Sequence, residues 1–284
     1  MLQILITAPS LNEHENVSGI STMVRTIIEN NKSSNRFMHF RVGKKDGEKK
    51  GLKWVMTQFL IVPRFIRTIK QTRTDLVYLN TDLTRPSILR DYLLFVAAKY
   101  FLRKKVLLHV HGGHFLMTPP RQGSPFLFMI RKMLTGASVC IVLSEIEQKA
   151  ILKNFGAPGI ALPNAIEVTE TSNQGKNFNN KLQIIFLGRV VKSKGIHVIA
   201  SSLKNLNSFF LDFEFHIYGS GPELDILLEE LGTVKGLSYK YHGVVRGQEK
   251  WNALEKAHIF LLPSLFGEGL PIAMLEAMGS GCIP

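Results

Sequence analysis

The sequence contains little cysteine and no long apolar run. Only two cysteines occur among 284 residues, Cys140 in SVCIVLS and Cys282 near the last residue. Neither has the spacing of a metal ligand, which favours buried thiols in a reducing compartment over a disulfide. The sequence contains no run of about 18 apolar residues, the length that would predict a membrane-spanning helix. The first residues, MLQILITAPS, have no basic leader before the apolar run, which argues against a signal peptide. We therefore expect a cytoplasmic protein.

Signature loops for nucleotide binding are also missing. No phosphate loop ending in Gly-Lys-Ser/Thr occurs. HIYGSGPELDILLEE carries Gly219 and Gly221, but Leu224 occupies the third glycine position of the dinucleotide fingerprint. We interpret this stretch as a tight turn near a ligand, and simple turn chemistry is an equal alternative.

The charge of the chain is unevenly distributed. Residues 1–180 contain 25 Lys+Arg and 12 Asp+Glu, whereas residues 181–284 contain 10 of each kind. The whole net charge of +13 therefore belongs to the first part of the chain. This asymmetry favours an anionic partner, either a membrane surface or nucleic acid, although a basic half that is merely soluble is the alternative. No recognition-helix or aromatic-rich motif supports nucleic acid.

Short apolar runs alternate with segments of helical period along the chain. The predicted strands are LQILITA, FMHFRV, DLVYLN, KVLLHVHG, ASVCIVLS and a possible GIALPNA, followed by LQIIFLGRV, FEFHIYG, SYKYHGVV and HIFLLPS. Strands apolar on both faces and separated by helices indicate parallel sheets. We predict two doubly wound α/β domains, residues 1–166 and 182–284, joined by the polar linker 167–181. In such sheets ligands bind outside the carboxyl ends of the strands.

The second predicted domain is short. It has four clear strands, and GCIP resembles the beginning of a fifth. Because a parallel sheet needs both faces covered, we expect a fragment or a shortened form of a chain about a third longer. An intact protein ending at Pro284 is the alternative.

A pair of cations follows the first strand of this domain. In FLGRVVKSKGIHVIA, Arg189 comes directly after Gly188, and Lys194 precedes Gly195 and a helix. Two cations that bridge a strand end and a helix start can close on a diphosphate. Two solvated loop cations are the alternative, which Gly188 makes less attractive because it permits close approach of the backbone.

Glycine and histidine mark two strand ends of the first domain. We predict that Gly19 precedes the first helix, where a ligand could approach the backbone N–H groups. His109 and His111 share one face of a strand. We expect a structural role for His109, and for His111 a role as a polar group that donates to a sugar hydroxyl or an anion. A metal site that includes His114 is a less favoured reading.

Two isolated acids occur in SLFGEGLPIAMLEAMGSGCIP. Pro271 predicts the first turn of a helix, which places Glu268 just before it and Glu276 in its second turn. The carboxylates are then separated by roughly 8–12 Å along the axis, too far for a retaining pair at about 5 Å. This spacing suits the two sugars of a nucleotide sugar, because each carboxylate can accept from a hydroxyl pair. Acids on the wet side of an amphipathic helix are the alternative.

Taken in order, HVHG, VLSE, LPNAI, LGRVVKSKG, YGSGP and EGLPIAMLE resemble glycosyltransferase family 4, the retaining group with the GT-B fold. The resemblance implies two domains facing a cleft and a hexose moved from a nucleoside diphosphate sugar to a glycan or lipid-linked acceptor, without a metal or cofactor. It also suggests cell-surface polysaccharide or lipopolysaccharide synthesis. A shortened, non-catalytic remnant that binds acceptor or membrane only is the alternative.

The resemblance also implies roles for particular residues. Arg189 and Lys194 bind the donor diphosphate, Glu268 holds the transferred sugar, Glu276 holds the ribose, and His111 lies beside the sugar. The implied catalytic residues are Glu268, His111, Arg189 and Lys194. The implied donor-binding residues are Gly19, Gly188, Arg189, Lys194, Gly219, Glu268, Gly269, Leu270 and Glu276. Ala165 departs from the family pattern, where glycine is common.

One segment of the basic half suggests peripheral attachment to an anionic inner membrane face. KKGLKWVMTQFLIVPRFIRTIKQTR has an apolar stripe flanked by cations, which fits an interfacial helix or a crossover helix packed on its sheet equally well. Pro63 is expected to kink either helix. The stripe consists of Leu52, Val55, Met56, Phe59, Ile66 and Ile69, with Lys53, Arg64 and Arg67 beside it.

Overall fold

The computed structural model describes residues 1–43, 48, 51, 60–167, 176–178, 181–209 and 212–284. By its contacts the chain divides into two compact units. The first unit contains Met1–Asn164 and Glu268–Leu270, and the second contains Ala165–Gly267 and Pro271–Pro284. Within the described residues, no helix has both the length and the apolar character needed to cross a bilayer.

The first unit is built on a six-stranded parallel sheet with the order β2-β1-β3-β4-β5-β6. Its strands are β1 (Leu2–Ala8), β2 (Asn35–Arg41), β3 (Leu76–Thr81), β4 (Lys105–Val110), β5 (Val139–Val142) and β6 (Ile160–Ala161). Its described helices are α1 (Gly19–Asn31), α2 (Ile61–Gln71), α3 (Arg85–Val96), α4 (His114–Met117), α5 (Pro125–Gly136) and α6 (Glu145–Phe155).

The core of this unit lies around the central strands. Val77 and Leu79 on β3, and Val106 and Leu108 on β4, have no exposed surface and belong to one apolar cluster with residues of α2, α3, α5 and α6. Burial of a side chain of this size stabilises the fold by about 1.5–3 kcal/mol. Strands without a polar face pack helices on both sides, which explains the continuous apolar runs in the sequence.

The second unit contains a four-stranded parallel sheet with the order β10-β7-β8-β9. Its strands are β7 (Leu182–Leu187), β8 (Phe213–Tyr218), β9 (Tyr239–Tyr241) and β10 (Ile259–Phe260). Its described helices are α7 (Ile196–Asn207), α8 (Leu224–Gly232), α9 (Gly247–Lys256) and α10 (Ile272–Gly279). Ile283 forms a parallel bridge to Ile259, so GCIP begins to pair beside β10 as expected. The predicted fold class, two α/β domains on parallel sheets, is confirmed.

Two sequence expectations need correction. Gly19 is the first residue of α1 and does not precede the helix. Pro63 is the third residue of α2, in the first turn, where its missing N–H removes no intrahelical hydrogen bond. The expectation of strands apolar on both faces fails for β8, whose side chains alternate between buried and partly exposed. The exposed face of β8 carries His216, which bonds to His242 at 2.9 Å.

The described part of the amphipathic segment packs against the core. Phe65 and Ile69 of α2 are buried in the cluster of the first unit, and Ile66 packs against it. This supports the crossover-helix alternative for residues 61–71. Residues 52–59 of the same segment, which carry the rest of the predicted stripe, lie outside the described residues.

Both cysteines are buried free thiols, as predicted. Burial raises the pKa of the Cys140 thiol to about 12, so this thiol stays protonated and unreactive at neutral pH.

Candidate functional site

The loops that follow the four strands of the second sheet are tied together at its carboxyl edge. After β7, the Gly188 N–H donates to Tyr218 O at 3.0 Å and the Val190 N–H donates to Ser220 O at 2.9 Å. The Gly219 N–H in turn donates to Gly243 O, in the loop after β9, at 2.7 Å. These bonds join backbone atoms alone and therefore hold the loops after β7, β8 and β9 rigidly against one another at this edge.

The YGSGP turn approaches the backbone of the loop after β7 so closely that two of its positions must be glycine. A Cβ at Gly219 would lie 1.8 Å from Gly188 O, and a Cβ at Gly221 would lie 2.0 Å from Val190 O. Gly219 also has a φ of +136°, which residues with a side chain rarely adopt. Gly188 itself is different, because a Cβ there would meet only the Phe186 ring at 3.8 Å. There is therefore room for a methyl group at Gly188.

The two predicted cations lie on one loop of this edge. Arg189 is exposed and Lys194 is partly buried at the end of a short 3₁₀ turn, Lys192–Lys194. Within the described residues Arg189 forms no ion pair, so its guanidinium can take an anion. The turn is anchored to the loop after β10, since the Leu265 N–H donates to Ser193 O at 2.8 Å. The predicted position of Lys194, before Gly195 and a helix, is confirmed, and Gly195 has a left-handed conformation.

Glu276 lies in the second turn of α10, as predicted, and it is buried against a cation that the sequence did not reveal. The Lys250 ammonium on α9 donates to Glu276 Oε1 at 2.6 Å, with side-chain exposures of 20% and 5%. Lys250 Nζ also lies 5.0 Å from the centre of the Trp251 ring. This is a charge-assisted hydrogen bond in a largely dry setting, where such bonds are strongest. It fixes one carboxylate oxygen and the rotamer of Glu276.

Glu268, Gly269 and Leu270 belong to the first unit by their contacts. The Asn164 amide donates to Leu270 O at 2.7 Å. A Cβ at Gly269 would lie 2.8 Å from Glu147 Oε1. The segment therefore packs against Asn164 of LPNAI and against Leu143 of VLSE and the nearby Glu147. Sequence reasoning treated both motifs as family markers without a partner.

Glu147 is itself held by a local cap. Its carboxylate accepts from the Leu143 N–H at 2.7 Å, and its own N–H donates to Ser144 Oγ at 3.2 Å. Burial raises the pKa of the Glu147 carboxyl, while the bonds from the backbone lower it. The Ser144 contact is the N-cap of α6 and places Glu147 in its first turn.

The histidines of HVHG lie on one face of β4 and just after it, as predicted. Their ring centres are 4.2 Å apart. His109 is buried and its Nδ1 lies 2.9 Å from the Tyr78 hydroxyl, whereas the partly buried His111 places its Nε2 2.7 Å from Asn80 Oδ1. Burial lowers the pKa of His109 to about 4, and burial together with His109 keeps the pKa of His111 well below its usual value. Both rings are therefore neutral at pH 7.

His109 has the buried environment that we expected for a structural residue. His114 is the first residue of α4 and is exposed. Over the described ranges, no group of three His, Cys, Asp or Glu side chains is arranged to hold a metal ion.

Residues 181–283 match the family model of glycosyl transferases group 1. The match covers most of the second unit. Among curated proteins, phosphatidyl-myo-inositol mannosyltransferase of Mycolicibacterium smegmatis is 29% identical over 146 residues, 50% of this chain and 37% of the relative. The uncharacterized glycosyltransferase MJ1069 of Methanocaldococcus jannaschii is 26% identical over 215 residues, which are 70% of this chain and 55% of the relative. The chain thus spans about a third to a half of the curated relatives that it matches.

A solved structure agrees with the observed fold. HepE from Anabaena, solved in complex with UDP and glucose, superimposes with a TM-score of 0.71 and is 14% identical in sequence. The superposition covers 99% of this chain and 79% of the HepE chain. At this identity the likeness shows the fold alone.

Sequence reasoning selected Arg189, Lys194 and Glu276 as candidates but did not select Lys250, Asn80 and Glu147, which lie beside the candidates Glu276, His111 and Gly269. Lys250 lies in an ordinary polar helix, and no spacing relates it to an acid 26 residues later. Asn80 at the end of DLVYLN was readable in principle, because a polar residue that ends an apolar strand marks a ligand-binding edge.

Proposed function

We propose that this chain is a retaining glycosyltransferase of family 4, which moves a hexose from a nucleoside diphosphate sugar to a hydroxyl of a glycan or lipid-linked acceptor. The proposal is carried by one observation. The second unit is a group 1 domain whose strand-end loops are locked together by backbone bonds, with an exposed arginine and the cationic turn that contains Lys194 on the loop after β7.

Charge develops on the diphosphate as its bond to the sugar breaks. Arg189 and Lys194 stabilise that charge, and a rigid loop costs nothing to reorganise during the reaction. The α7 helix begins at Ile196, directly after Lys194 and Gly195, so its unpaired N–H groups add to the positive potential. Protein cations in this role make a metal unnecessary.

Donor recognition requires acceptors for sugar hydroxyls. Glu276 takes the ribose hydroxyls, with its rotamer fixed by Lys250. Glu268 holds the transferred sugar, and Gly269 and Leu270 present backbone groups beside it. Gly188 and Gly219 let the donor approach the loops closely, and Gly19 at the first turn of α1 does the same in the first unit.

Transfer and hydrolysis assays with a panel of UDP-, GDP- and ADP-sugars test this function. Lys194→Ala and Glu268→Gln should each lower turnover on the order of 10²-fold, the usual cost of removing a group that stabilises the transition state. Lys192→Ala is the matched control, because Lys192 is exposed on the same turn and should leave turnover nearly unchanged. Equal activity in all three variants would reject the assignment, and donor binding without turnover would favour the non-catalytic alternative.

The acceptor is proposed to lie at an anionic membrane surface, with the chain cytoplasmic and peripheral. Leu89 and Leu93, one turn apart on α3, and Phe128 on the neighbouring α5 are each about half exposed. Lys132 lies 5.9 Å from the Phe128 ring centre, and Arg85 lies beside α5 over Phe126. Apolar side chains rimmed by cations, in the half that carries the excess charge, suit anionic lipid head groups. Relatives named for phosphatidylinositol glycosylation and colanic acid biosynthesis support acceptors of this kind.

A further inference from the structure

The side-chain amide of Asn80 has only one possible orientation. Asn80 is 3% exposed, and its Nδ2 lies 2.7 Å from the carbonyl oxygen of Thr7 on the neighbouring strand β1. A carbonyl oxygen can only accept a hydrogen bond, so the group facing it must be the NH₂. The Asn80 backbone N–H donates to Thr7 Oγ1 at 3.0 Å and fixes the same register.

This orientation determines the proton position on His111. With Nδ2 committed to Thr7, Oδ1 faces His111 Nε2 at 2.7 Å. An amide oxygen can only accept, so Nε2 must carry the hydrogen. His111 Nδ1 has no hydrogen-bond partner within the described part of the chain, and the residue is partly exposed.

We propose that Asn80 is a positioning residue that holds His111 as its Nε2–H tautomer, so that the imidazole offers a substrate only the Nδ1 lone pair. The ligand group that fits this nitrogen is a sugar hydroxyl, which donates its proton to Nδ1. An anion does not fit, because two lone pairs would face each other. The inference rests on the proposed function, and it replaces the sequence-based expectation that His111 donates a hydrogen bond with the inference that it accepts one.

Two neighbours keep the ring neutral, as this role requires. The His109 ring lies 4.2 Å away, so a charge on His111 would be placed against a second imidazole in a buried setting. His109 is in turn engaged with the Tyr78 hydroxyl, and burial raises the pKa of that phenol above its usual value, so it brings no negative charge. No carboxylate bonds to His111 among the described residues.

The tautomer can be measured without any turnover. In ¹⁵N-histidine-labelled wild-type protein at pH 7, long-range ¹H–¹⁵N correlation spectra should show His111 with a protonated Nε2 and a bare Nδ1, the signal being assigned by its loss in His111→Gln. A wild-type spectrum with Nδ1 protonated would overturn the proposal whether or not the chain is a glycosyltransferase.

Variants of the pair extend the test. Asn80→Ala removes the oxygen that accepts from Nε2–H, so nothing then holds this tautomer. The spectrum should then show a mixture that includes the Nδ1–H form at pH 7, and kcat should fall about tenfold, the equivalent of one hydrogen bond, with the donor KM changed less. Thr7→Val is the control, because it removes Oγ1 but keeps the carbonyl that orients Asn80, and it should retain the Nε2–H form. A His111 signal that stays purely Nε2–H in Asn80→Ala would contradict the proposal. An Nε2–H spectrum in a protein that transfers no sugar would leave the tautomer assignment standing and reject only the proposed function.

Discussion

At the scale of single residues, Gly188 and Gly219 touch each other, but only one of them needs to be glycine. Gly219→Ala would place a methyl group 1.8 Å from Gly188 O at a φ of +136°. We expect a loss of about 2 kcal/mol or more in the free energy of unfolding. Gly188→Ala is the matched control, because its methyl group would make only an ordinary contact, and it should change stability by less than about 1 kcal/mol. Urea denaturation followed by circular dichroism measures both, and similar losses would contradict the reading of this turn.

The buried His109 should make the free energy of unfolding depend on pH. Its pKa is about 4 in the folded chain, depressed by burial, and near 6.5 when unfolded. Between these values the unfolded chain binds more protons, so stability is full above pH 6.5 and falls as the pH drops to about 4. The loss from this one group is on the order of 3 kcal/mol.

His109→Gln removes that titration, although it also disturbs the bond to Tyr78. Its free energy of unfolding should therefore be lower at pH 7 but less dependent on pH between 6.5 and 4. Chemical denaturation at a series of pH values checks this. Parallel curves for wild type and variant would show that His109 does not titrate in this window.

At the scale of helices, Lys250 and Glu276 join α9 to α10. Lys250→Met leaves the Glu276 carboxylate buried without its cation and should cost about 3 kcal/mol. Lys250→Met combined with Glu276→Gln should recover part of this loss, because the remaining group is no longer charged. Lys240→Met is the control, since Lys240 is 59% exposed in its pair with Glu214 and should cost less than about 1 kcal/mol.

Donor binding gives the pair a second readout. Lys250→Arg keeps a cation beside Glu276 and should retain most of the affinity for a nucleoside diphosphate in titration calorimetry, whereas Lys250→Met should weaken it. Equal affinities in the two variants would separate the ion pair from donor recognition.

Periodicity predicted the strands and the helices between them because each buries an apolar stripe or face against a neighbour. The polar face of β8 escaped this reasoning, since Glu214, His216 and Tyr218 alternate with buried Phe213, Phe215 and Ile217 in a pattern also typical of an antiparallel strand. The Lys250–Glu276 pair escaped it because packing in three dimensions brings the two residues together. The cationic loop was predictable, because its residues are consecutive and their strand-end position follows from the order of elements.

At the scale of the whole molecule, the division into units does not follow the order of the chain. Residues 268–270 belong to the first unit, whereas the residues on both sides of them belong to the second. Asn164 and Glu147 receive this segment through specific contacts. No local pattern announces such an exchange, because it depends on which surfaces meet after folding.

Because residues 1–180 carry the whole net charge of +13, we expect the chain to bind membranes that contain anionic lipid. Leu89→Glu and Leu93→Glu should weaken sedimentation with vesicles that contain anionic lipid, because each replaces apolar contact with a repelled carboxylate. Leu152→Glu is the matched control, since Leu152 is 60% exposed on α6 and should leave binding unchanged. Arg85→Glu and Lys132→Glu should each reduce binding at least about fivefold, from about 1 kcal/mol per cation, and raised salt should lessen the difference. Equal binding to purely zwitterionic vesicles would show that charge does not direct the chain to a membrane.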